Sequence, residues 1–335
     1  MPEAKFFVYS QRPVTLPIVD SPRWQLRVEH RGWARRFKGT LWLKLCAGSL
    51  IYEDNLDAFW AGSTLLPRLP HGVRSLSVTY DLNHKIVPQS MATSALWIHR
   101  LFFDRDVRSA DAIVAISQGT ANRVESMLGR RANAVVYPAA STLFCPPTPS
   151  VIQETLIAHG LSQPYLLAVG TLEPRKNLEL LIQVFLSMRQ DGLLPGYRLV
   201  LVGGAGWKNM RLLELLEGHA DVVRALGYVA DEDLPSLYAG SSAFVFPSVY
   251  EGYGIPTLEA RMCGAKVLAA DIPEIREACG EGGIFIIPDA KGLRDGILQV
   301  LAQPYVSPVT DVPSWKMGAA EMAAQFRALI KKNFL

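Results

Sequence analysis

The sequence offers little that would stabilise it by cross-link, metal or membrane span. Cysteine occurs four times (Cys46, Cys145, Cys263 and Cys279) with no C-x-x-C pair. That scatter argues against a zinc site and against a disulfide framework, and it suits a reducing compartment. No apolar run approaches the roughly 18 residues that a membrane-crossing helix requires. The start, MPEAKFFVYSQRP, lacks the basic, then apolar, then small-residue order of a secretory signal. A cytoplasmic location is therefore the expectation. There is no internal repeat and no low-complexity tract. Charged residues make up 19% of the chain against 49% hydrophobic, which excludes a disordered protein.

What is present is enough apolar material, over 335 residues, for two cores rather than one. The net charge of +3 conceals an asymmetry, since residues 1–150 hold 18 Lys and Arg against 11 Asp and Glu. A basic half of this kind faces something acidic or solvent alone. The densest part, SPRWQLRVEHRGWARRFKGTLWLK (21–44), interleaves seven cations with three tryptophans. Two readings fit it: an anionic membrane or phosphate-bearing partner, or a solvated helix whose tryptophans face the core.

Short apolar runs at 165–169 (YLLAV), 198–202 (RLVLV), 222–226 (VVRAL), 243–246 (AFVF) and 266–269 (KVLA) read as strands of a buried parallel sheet. The helical pattern at 177–190 lies between the first two, with Leu178, Leu181, Phe185 and Met188 on one face and Asn177 as N-cap. Repetition of strand, turn and helix predicts a doubly wound α/β unit. In the first half, strands are expected at 5–10, 73–79, 113–118 and 134–137, with helices near 94–109 and 119–128. The proline-rich stretch 137–150 (YPAASTLFCPPTPS) reads as a linker between domains. The division expected is 1–145, 146–312 and a C-terminal helix over 313–335, carrying Trp315, Met322 and Phe326 at helical spacing.

Ligands of open α/β sheets sit beyond the carboxyl ends of the strands, so the loops after strands are the places to search. YEGYGIPTLEA (250–260) follows one strand and carries two carboxylates, Glu251 and Glu259. Gly252 and Gly254 let the backbone turn sharply, and Pro256 suits a helix start. Free N–H groups at Gly254, Ile255 and Thr257 would then form an anion site fit for a pyrophosphate. Glu259, in the first turn, could accept two hydrogen bonds from a ribose diol, and Glu251 would lie across the phosphates near a sugar. VGTLEPRKNLELL (169–181) follows another strand, and its adjacent Arg175 and Lys176 can neutralise a diphosphate. Alone, each motif has an ordinary explanation, as a dipole-favoured acid or an exposed basic turn. VGGAGWKN (202–209), with Gly203, is a degenerate dinucleotide fingerprint that lacks its third glycine, so close backbone packing explains it as well as a cofactor does. A nicotinamide-dependent oxidoreductase rests on that loop alone. A glycoside hydrolase would need Glu251 and Glu259 to flank one bond.

Taken together, GTLEPRKN, LGYV, LYAGSSAFVFPSVYEGYGIPTLEARMCGAKVLAAD and DIPEIREACGEGGIFIIPDA resemble the donor half of retaining glycosyltransferases of family 4. Glu251 and Glu259 match that family's E-x7-E pair. DAFWAGSTLLP, SVTYDLNHKIVP, RSADAIVAISQGTANRV and VVYPAAS resemble the first half more loosely. The resemblance implies a GT-B fold, two Rossmann-like domains facing a cleft. The GTLEPRKN form is similar to bacterial mannosyltransferases of surface-polysaccharide synthesis. By that resemblance Arg175 and Lys176 bind the donor diphosphate and Glu251 touches the donor sugar. Glu259 holds the ribose, and Gly252, Gly254, Ile255, Thr257, Thr171 and Gly203 line the donor. Val229 offers backbone groups to the base. Tyr80, Asp81 and His84 stand on the acceptor side.

The expected partners are a nucleotide sugar (GDP-mannose favoured, a UDP-sugar second) and a glycan or lipid-linked acceptor at the inner membrane face, with no metal and no nucleic acid. The sequence departs from the family at Thr171, where arginine is usual, and at Tyr80-Asp81, where His-Asp is common. It also opens at KFFVYS without the usual first strand and glycine loop. A nucleotide-sugar-binding module that depends on a partner for transfer is the alternative reading.

Overall fold

A computed structural model of the chain describes residues 4–15, 21–37, 39–207, 209–304 and 306–331. Among these residues twelve strands form three parallel sheets. β1 (Phe6–Ser10) and β2 (Trp24–Val28) pair with each other. β3 (Ala58–Ala61), β4 (Arg74–Thr79), β5 (Ala112–Ala115) and β6 (Ala134–Val135) make a four-stranded sheet in chain order. β7 (Tyr165–Val169), β8 (Arg198–Val202), β9 (Val223–Ala225), β10 (Ala243–Phe246), β11 (Val267–Ala270) and β12 (Ile284–Ile286) make a six-stranded sheet ordered β12-β11-β10-β7-β8-β9.

The six-stranded order reverses between β7 and β10, and that reversal opens the crevice of a doubly wound sheet. Its four inner strands, β11, β10, β7 and β8, are apolar runs apart from Arg198 at the start of β8, because both of their faces are covered. Leu167, Val200, Phe244 and Val267 pack on one side, and Leu166, Leu199, Val245 and Leu268 on the other. Helix Leu178–Gln190 buries Leu178, Leu181, Phe185 and Met188 as the spacing predicts. Asn177 precedes it in a left-handed conformation, φ 56°, and does not cap it by its side chain. Its amide nitrogen donates to the Pro288 carbonyl instead, at 3.0 Å.

β2, β3 and β12 are strands that periodicity did not signal. β2 lies inside the basic stretch 21–44, which is neither one helix nor free cationic surface. Trp24 stacks on Phe6 with ring centroids 4.3 Å apart, and Trp42 is buried with its indole N–H on Glu29, while Trp33 is exposed. Arg27 pairs with Asp54 at 2.6 Å, Arg31 with Glu29 at 2.7 Å, and Lys44 with Asp106. With Arg35 donating to the Glu29 carbonyl at 2.9 Å, at least four of the seven cations here are occupied within the fold.

The segment after β6 enters the second unit early, since Ala140 and Phe144 already belong to the core around the six-stranded sheet. At the other end, the chain returns. Met322, Phe326 and Leu329 of helix Trp315–Lys331 pack beside Leu76, Val78 and Val114 of the four-stranded sheet, whereas Trp315 is exposed. No helix among the described residues is long and apolar enough to cross a membrane.

The two units are joined by polar contacts around helix Gln118–Leu128. Ser117 caps it from within, accepting from the Thr120 N–H at 3.0 Å. Glu277 from the other unit caps it again, its two oxygens accepting from the N–H groups of Gln118 (2.7 Å) and Gly119 (2.6 Å). An anionic group at a helix N-terminus is favoured by both hydrogen bonding and the helix dipole. One turn on, Arg123 forms a two-pronged ion pair with Glu274, which is fully buried. Breaking a buried pair from one side leaves an uncompensated charge. Arg123→Ala should therefore lower the unfolding free energy by about 3 kcal/mol, and Arg123→Ala with Glu274→Ala by clearly less, as read from urea melts of both variants.

Candidate active site

The loops after β7 and β10 leave adjacent strands at the point of order reversal, and they meet. Pro174–Lys176 forms one 3-10 turn, which sets Arg175 and Lys176 side by side. Glu251, from the other loop, lies between them: Lys176 Nζ donates to Glu251 Oε1 at 2.7 Å, and Arg175 donates to Glu251 Oε2. Arg175 also pairs with Glu173 at 2.6 Å and donates to the Tyr250 carbonyl at 3.1 Å. Lys176 stands 4.8 Å above the Phe246 ring. Two cations and two carboxylates are thus sequestered together, with Glu173, Lys176 and Glu251 all buried.

Burial alone would raise the Glu251 carboxyl, but Lys176 and Arg175 outweigh it and hold the pKa below the usual range. Burial likewise opposes the Arg175 charge, and Glu251 and Glu173 more than restore it. Glu251 is accordingly an anion at neutral pH, a hydrogen-bond acceptor and not a proton donor. The sequence placed Glu251 across the phosphates from Glu259, near a sugar; its direct contact with Arg175 and Lys176 comes from the adjacency of β7 and β10, which no linear spacing reveals. Glu173 was missed too, although it sits two residues before Arg175 in the same motif.

Helix Ile255–Met262 starts at Gly254, whose φ of 107° is a left-handed value that favours glycine. Pro256 is its second residue. The Thr257 N–H and hydroxyl both donate to the Gly254 carbonyl, at 2.9 and 2.7 Å, so the Thr257 amide is not free for an anion as the sequence reading had it. The turn is tight enough to satisfy that donor internally. Gly254 and Ile255 stand ahead of it at the helix start.

Glu259 follows on the same helix. Its carboxylate accepts from the Tyr238 hydroxyl at 3.0 Å and makes no ion pair among the described residues. Burial raises its pKa to about 7, the Tyr238 hydrogen bond offsetting only part and Asp231 adding to the rise. The two acids of the motif therefore differ in kind, one held ionised by cations and the other poised at neutrality.

Gly252 belongs to the contact between units. A side chain there would overlap the Tyr80 carbonyl oxygen, and the Gly252 carbonyl accepts from Ser117 (2.7 Å) and Thr120 (3.1 Å). The Leu82 N–H donates to the Tyr250 hydroxyl at 2.9 Å across the same seam. Asp81 is brought within electrostatic reach of Arg175 and Glu251. Burial raises its pKa, the Asn83 N–H and Arg175 pull it down, and Glu251 pushes it up again. Tyr80 is half exposed next to it. His84 is buried against the Phe103 ring, centroids 4.2 Å apart, and burial with the His99 and Lys85 charges draws it down to about 4. It is a neutral core residue turned away from solvent, not a replacement for a cleft histidine.

The glycines of 202–206 have a structural explanation. A side chain at Gly203 would overlap the Gly170 carbonyl, and one at Gly206 the Leu172 carbonyl. The loop packs main chain to main chain on 170–172, with the Leu172 N–H donating to the Gly204 carbonyl at 3.0 Å. That arrangement fixes the Arg175 loop and removes the motif behind a dinucleotide reading. Thr171 is exposed on this loop, and the Gly203 N–H donates to the Gly227 carbonyl at 2.8 Å, which ties the turn bearing buried Val229 to the same place. Trp207 reaches the first unit, its indole N–H donating to the Ser90 carbonyl at 2.6 Å. No group of three His, Cys, Asp or Glu side chains among the described residues could hold a metal ion.

Two parallel α/β units that meet over a charge cluster at a switch point define the GT-B class. Solved structures share that fold. WaaG, a glycosyltransferase involved in lipopolysaccharide biosynthesis, aligns with a TM-score of 0.68 at 17% identity, over 99% of this chain and 90% of its own. Anabaena HepE, solved with UDP and glucose, aligns at 0.63 and 18%, over 84% and 77%. Residues 152–310 match the family model Glycosyl transferases group 1, and the chain carries a domain of that family. Escherichia coli O-antigen chain mannosyltransferase B is 32% identical over 240 residues, 70% of this chain and 63% of that protein. The E. coli serotype-specific mannosyltransferase WbdA is 34% identical over 204 residues, which is 55% of this chain and 24% of its own. The chain thus spans less than two thirds of both.

The Glu259 environment makes a prediction about stability. A carboxyl raised in the folded state favours the protonated form, so its ionisation costs stability as pH rises from the ordinary carboxylate range through about 7. Glu259→Gln should melt higher than wild type at pH 8 and equal to it at pH 4, in paired thermal scans without ligand.

Proposed function

We propose that the chain is a retaining hexosyltransferase, moving mannose or a related hexose from a nucleotide-diphosphate sugar to a glycan or lipid-linked acceptor in cell-surface polysaccharide synthesis. One observation carries the reading: Arg175, Lys176 and Glu251 converge where β7 and β10 diverge, next to the Gly254 helix start. Relatives support it, O-antigen mannosyltransferases foremost, and GDP-mannose is the favoured donor because a Mycobacterium tuberculosis relative, 26% identical over 83% of this chain, is a GDP-mannose-dependent mannosyltransferase.

On this reading the donor diphosphate takes up the outward faces of Arg175 and Lys176 and the N–H groups at Gly254 and Ile255. Negative charge grows on the leaving phosphate as the bond from C1 to its oxygen breaks, and fixed cations stabilise that charge more than the ground state. Their charge serves in place of a divalent ion. The acceptor hydroxyl attacks C1 from the side the phosphate leaves, and its proton passes to a phosphate oxygen, which accounts for retention. Glu251, ionised and immobilised, accepts hydrogen bonds from donor-sugar hydroxyls and orients C1. Glu259 binds the ribose diol, while Val229 and Thr171 border the nucleotide. Tyr80 and Asp81 face the reacting end from the first unit. On this reading the acceptor is presented to the chain at the cytoplasmic side of a membrane.

Calorimetric titration with UDP, GDP, ADP, dTDP and NAD, without divalent metal, tests this. One nucleoside diphosphate should bind at micromolar strength and NAD should not. A diol favours the Glu259 carboxylate, so affinity should rise about tenfold between pH 6 and pH 8, and Glu259→Gln should flatten that dependence to what the phosphate itself contributes. In a transfer assay, Lys176→Ala or Arg175→Ala should cut kcat by a factor of about 100 or more. Binding of NAD alone would overturn the proposal, and diphosphate binding without turnover by any sugar donor would reduce it to a binding module.

A further inference from the structure

We propose that Tyr250 is a positioning residue for the transfer, its side chain fixing loop 80–82 of the first unit against the cations of the donor site. The inference rests on the transferase reading and deepens it. Tyr250 stands immediately before Glu251 in the loop after β10 and is 1% exposed. Its two ends serve different units. The main-chain carbonyl accepts from Arg175 at 3.1 Å and so belongs to the charge cluster. The phenolic oxygen accepts from the Leu82 N–H at 2.9 Å, in the first unit.

The ring between those ends is itself held. The Arg123 guanidinium lies 5.2 Å from the ring centroid, and Arg123 is fixed in turn by buried Glu274. Burial raises the phenol's pKa, so the group stays neutral and its oxygen remains an acceptor for an N–H. Leu82 is fully buried, and Tyr250 is the one acceptor of its N–H among the described residues. A buried amide left unpaired costs more than a formed hydrogen bond returns. The tyrosine therefore sets where residue 82 can lie.

The loop is gripped a second time two residues earlier. The Tyr80 carbonyl oxygen fills the space that a side chain at Gly252 would need, and the Thr120 hydroxyl donates to it at 3.5 Å. Asp81 lies between the two grips. Its carboxylate is braced by the Asn83 N–H and side-chain amide, both at 3.0 Å, and it stands within electrostatic reach of Arg175 and Glu251. Residues 250 and 252 thus hold residues 82 and 80, with Glu251 and Asp81 in the middle of the two facing strips. An acceptor misplaced by about 1 Å can lose about a hundredfold in rate. Without the phenolic oxygen, the loop would keep only the Gly252 grip and could pivot about it. The donor side would be untouched, because the Arg175 bond runs to a main-chain carbonyl that any residue supplies.

Tyr250→Phe removes the oxygen and keeps the ring. Leu82 and Leu234 are the two leucines that follow an aspartate, so carbonyl-labelled aspartate with nitrogen-labelled leucine isolates their amides in a heteronuclear spectrum. The Leu82 amide should move to higher field in Tyr250→Phe while Leu234 stays. Turnover is read as diphosphate release from GDP-mannose, or from UDP-glucose if UDP is the diphosphate that binds, with methyl α-mannoside as acceptor. Tyr250→Phe should lower kcat by a factor of about 10 to 100 and leave the calorimetric affinity for the diphosphate within about twofold of wild type. Val300→Ala, which truncates a fully buried side chain of helix Ala290–Ala302, should lose thermal stability and keep its kcat, which separates positioning from instability. Wild-type kcat in Tyr250→Phe, an equal loss of diphosphate affinity, or an unmoved Leu82 amide would overturn the role and leave the transferase reading in place. A wild type that binds no diphosphate, or binds one and releases none from its sugar donor, would overturn both.

Discussion

A buried charge must have a partner, and that requirement organises the centre of this molecule. Glu251 is removed from water in the loop after β10, and it remains ionised because Arg175 and Lys176 from the loop after β7 hold one oxygen each. Glu173 performs the same service for Arg175. Neither loop could adopt its conformation alone, since each would bury uncompensated charge. The strand order creates the adjacency, the charge cluster locks the two loops in register, and the glycines at 203 and 206 let a third loop brace them by main-chain contact. The site is therefore organised before any ligand arrives, as electrostatic stabilisation of a transition state requires.

The seam between the units is built by a similar rule. Helix Gln118–Leu128 presents N–H groups that its own turns cannot satisfy, and Glu277 from the other unit accepts them. Gly252, in the very motif that carries Glu251, has no room for a side chain because the Tyr80 carbonyl occupies that space. The loop after β10 and the first unit are thus fitted to each other at one residue's remove from the charge cluster. Asp81 is carried toward Arg175 by the same fit.

How much of this was legible in the sequence depended on whether the signal was local. Most of the six-stranded sheet was readable because its inner strands, buried on both faces, are apolar runs, and its motifs fell in the loops after strands; its edge strand β12 was missed. β2 and β3 were not, since half-buried strands such as Trp24–Val28 carry no such run and Arg27 sits inside one. Glu251 and Glu259 look alike in the linear motif, yet one is paired and the other isolated, a difference created by residues 75 positions away and by Tyr238. His84 shows the converse. A histidine beside a candidate acid invites a catalytic reading, and only packing against Phe103 reveals a core residue.

The path of the chain between the units has its own consequence. It crosses once through the segment after β6 and again through the segment before helix Trp315–Lys331, whose side chains end up on the first sheet. The crossings border the same space, for Tyr137 on the first and Val309, Val312 and Pro313 on the second line one cavity of about 340 Å³. A single tether would let the units swivel freely, whereas two side by side act as the two leaves of a door hinge. Any relative motion of the units must then bend both crossings together, so the second one restricts what the first would allow.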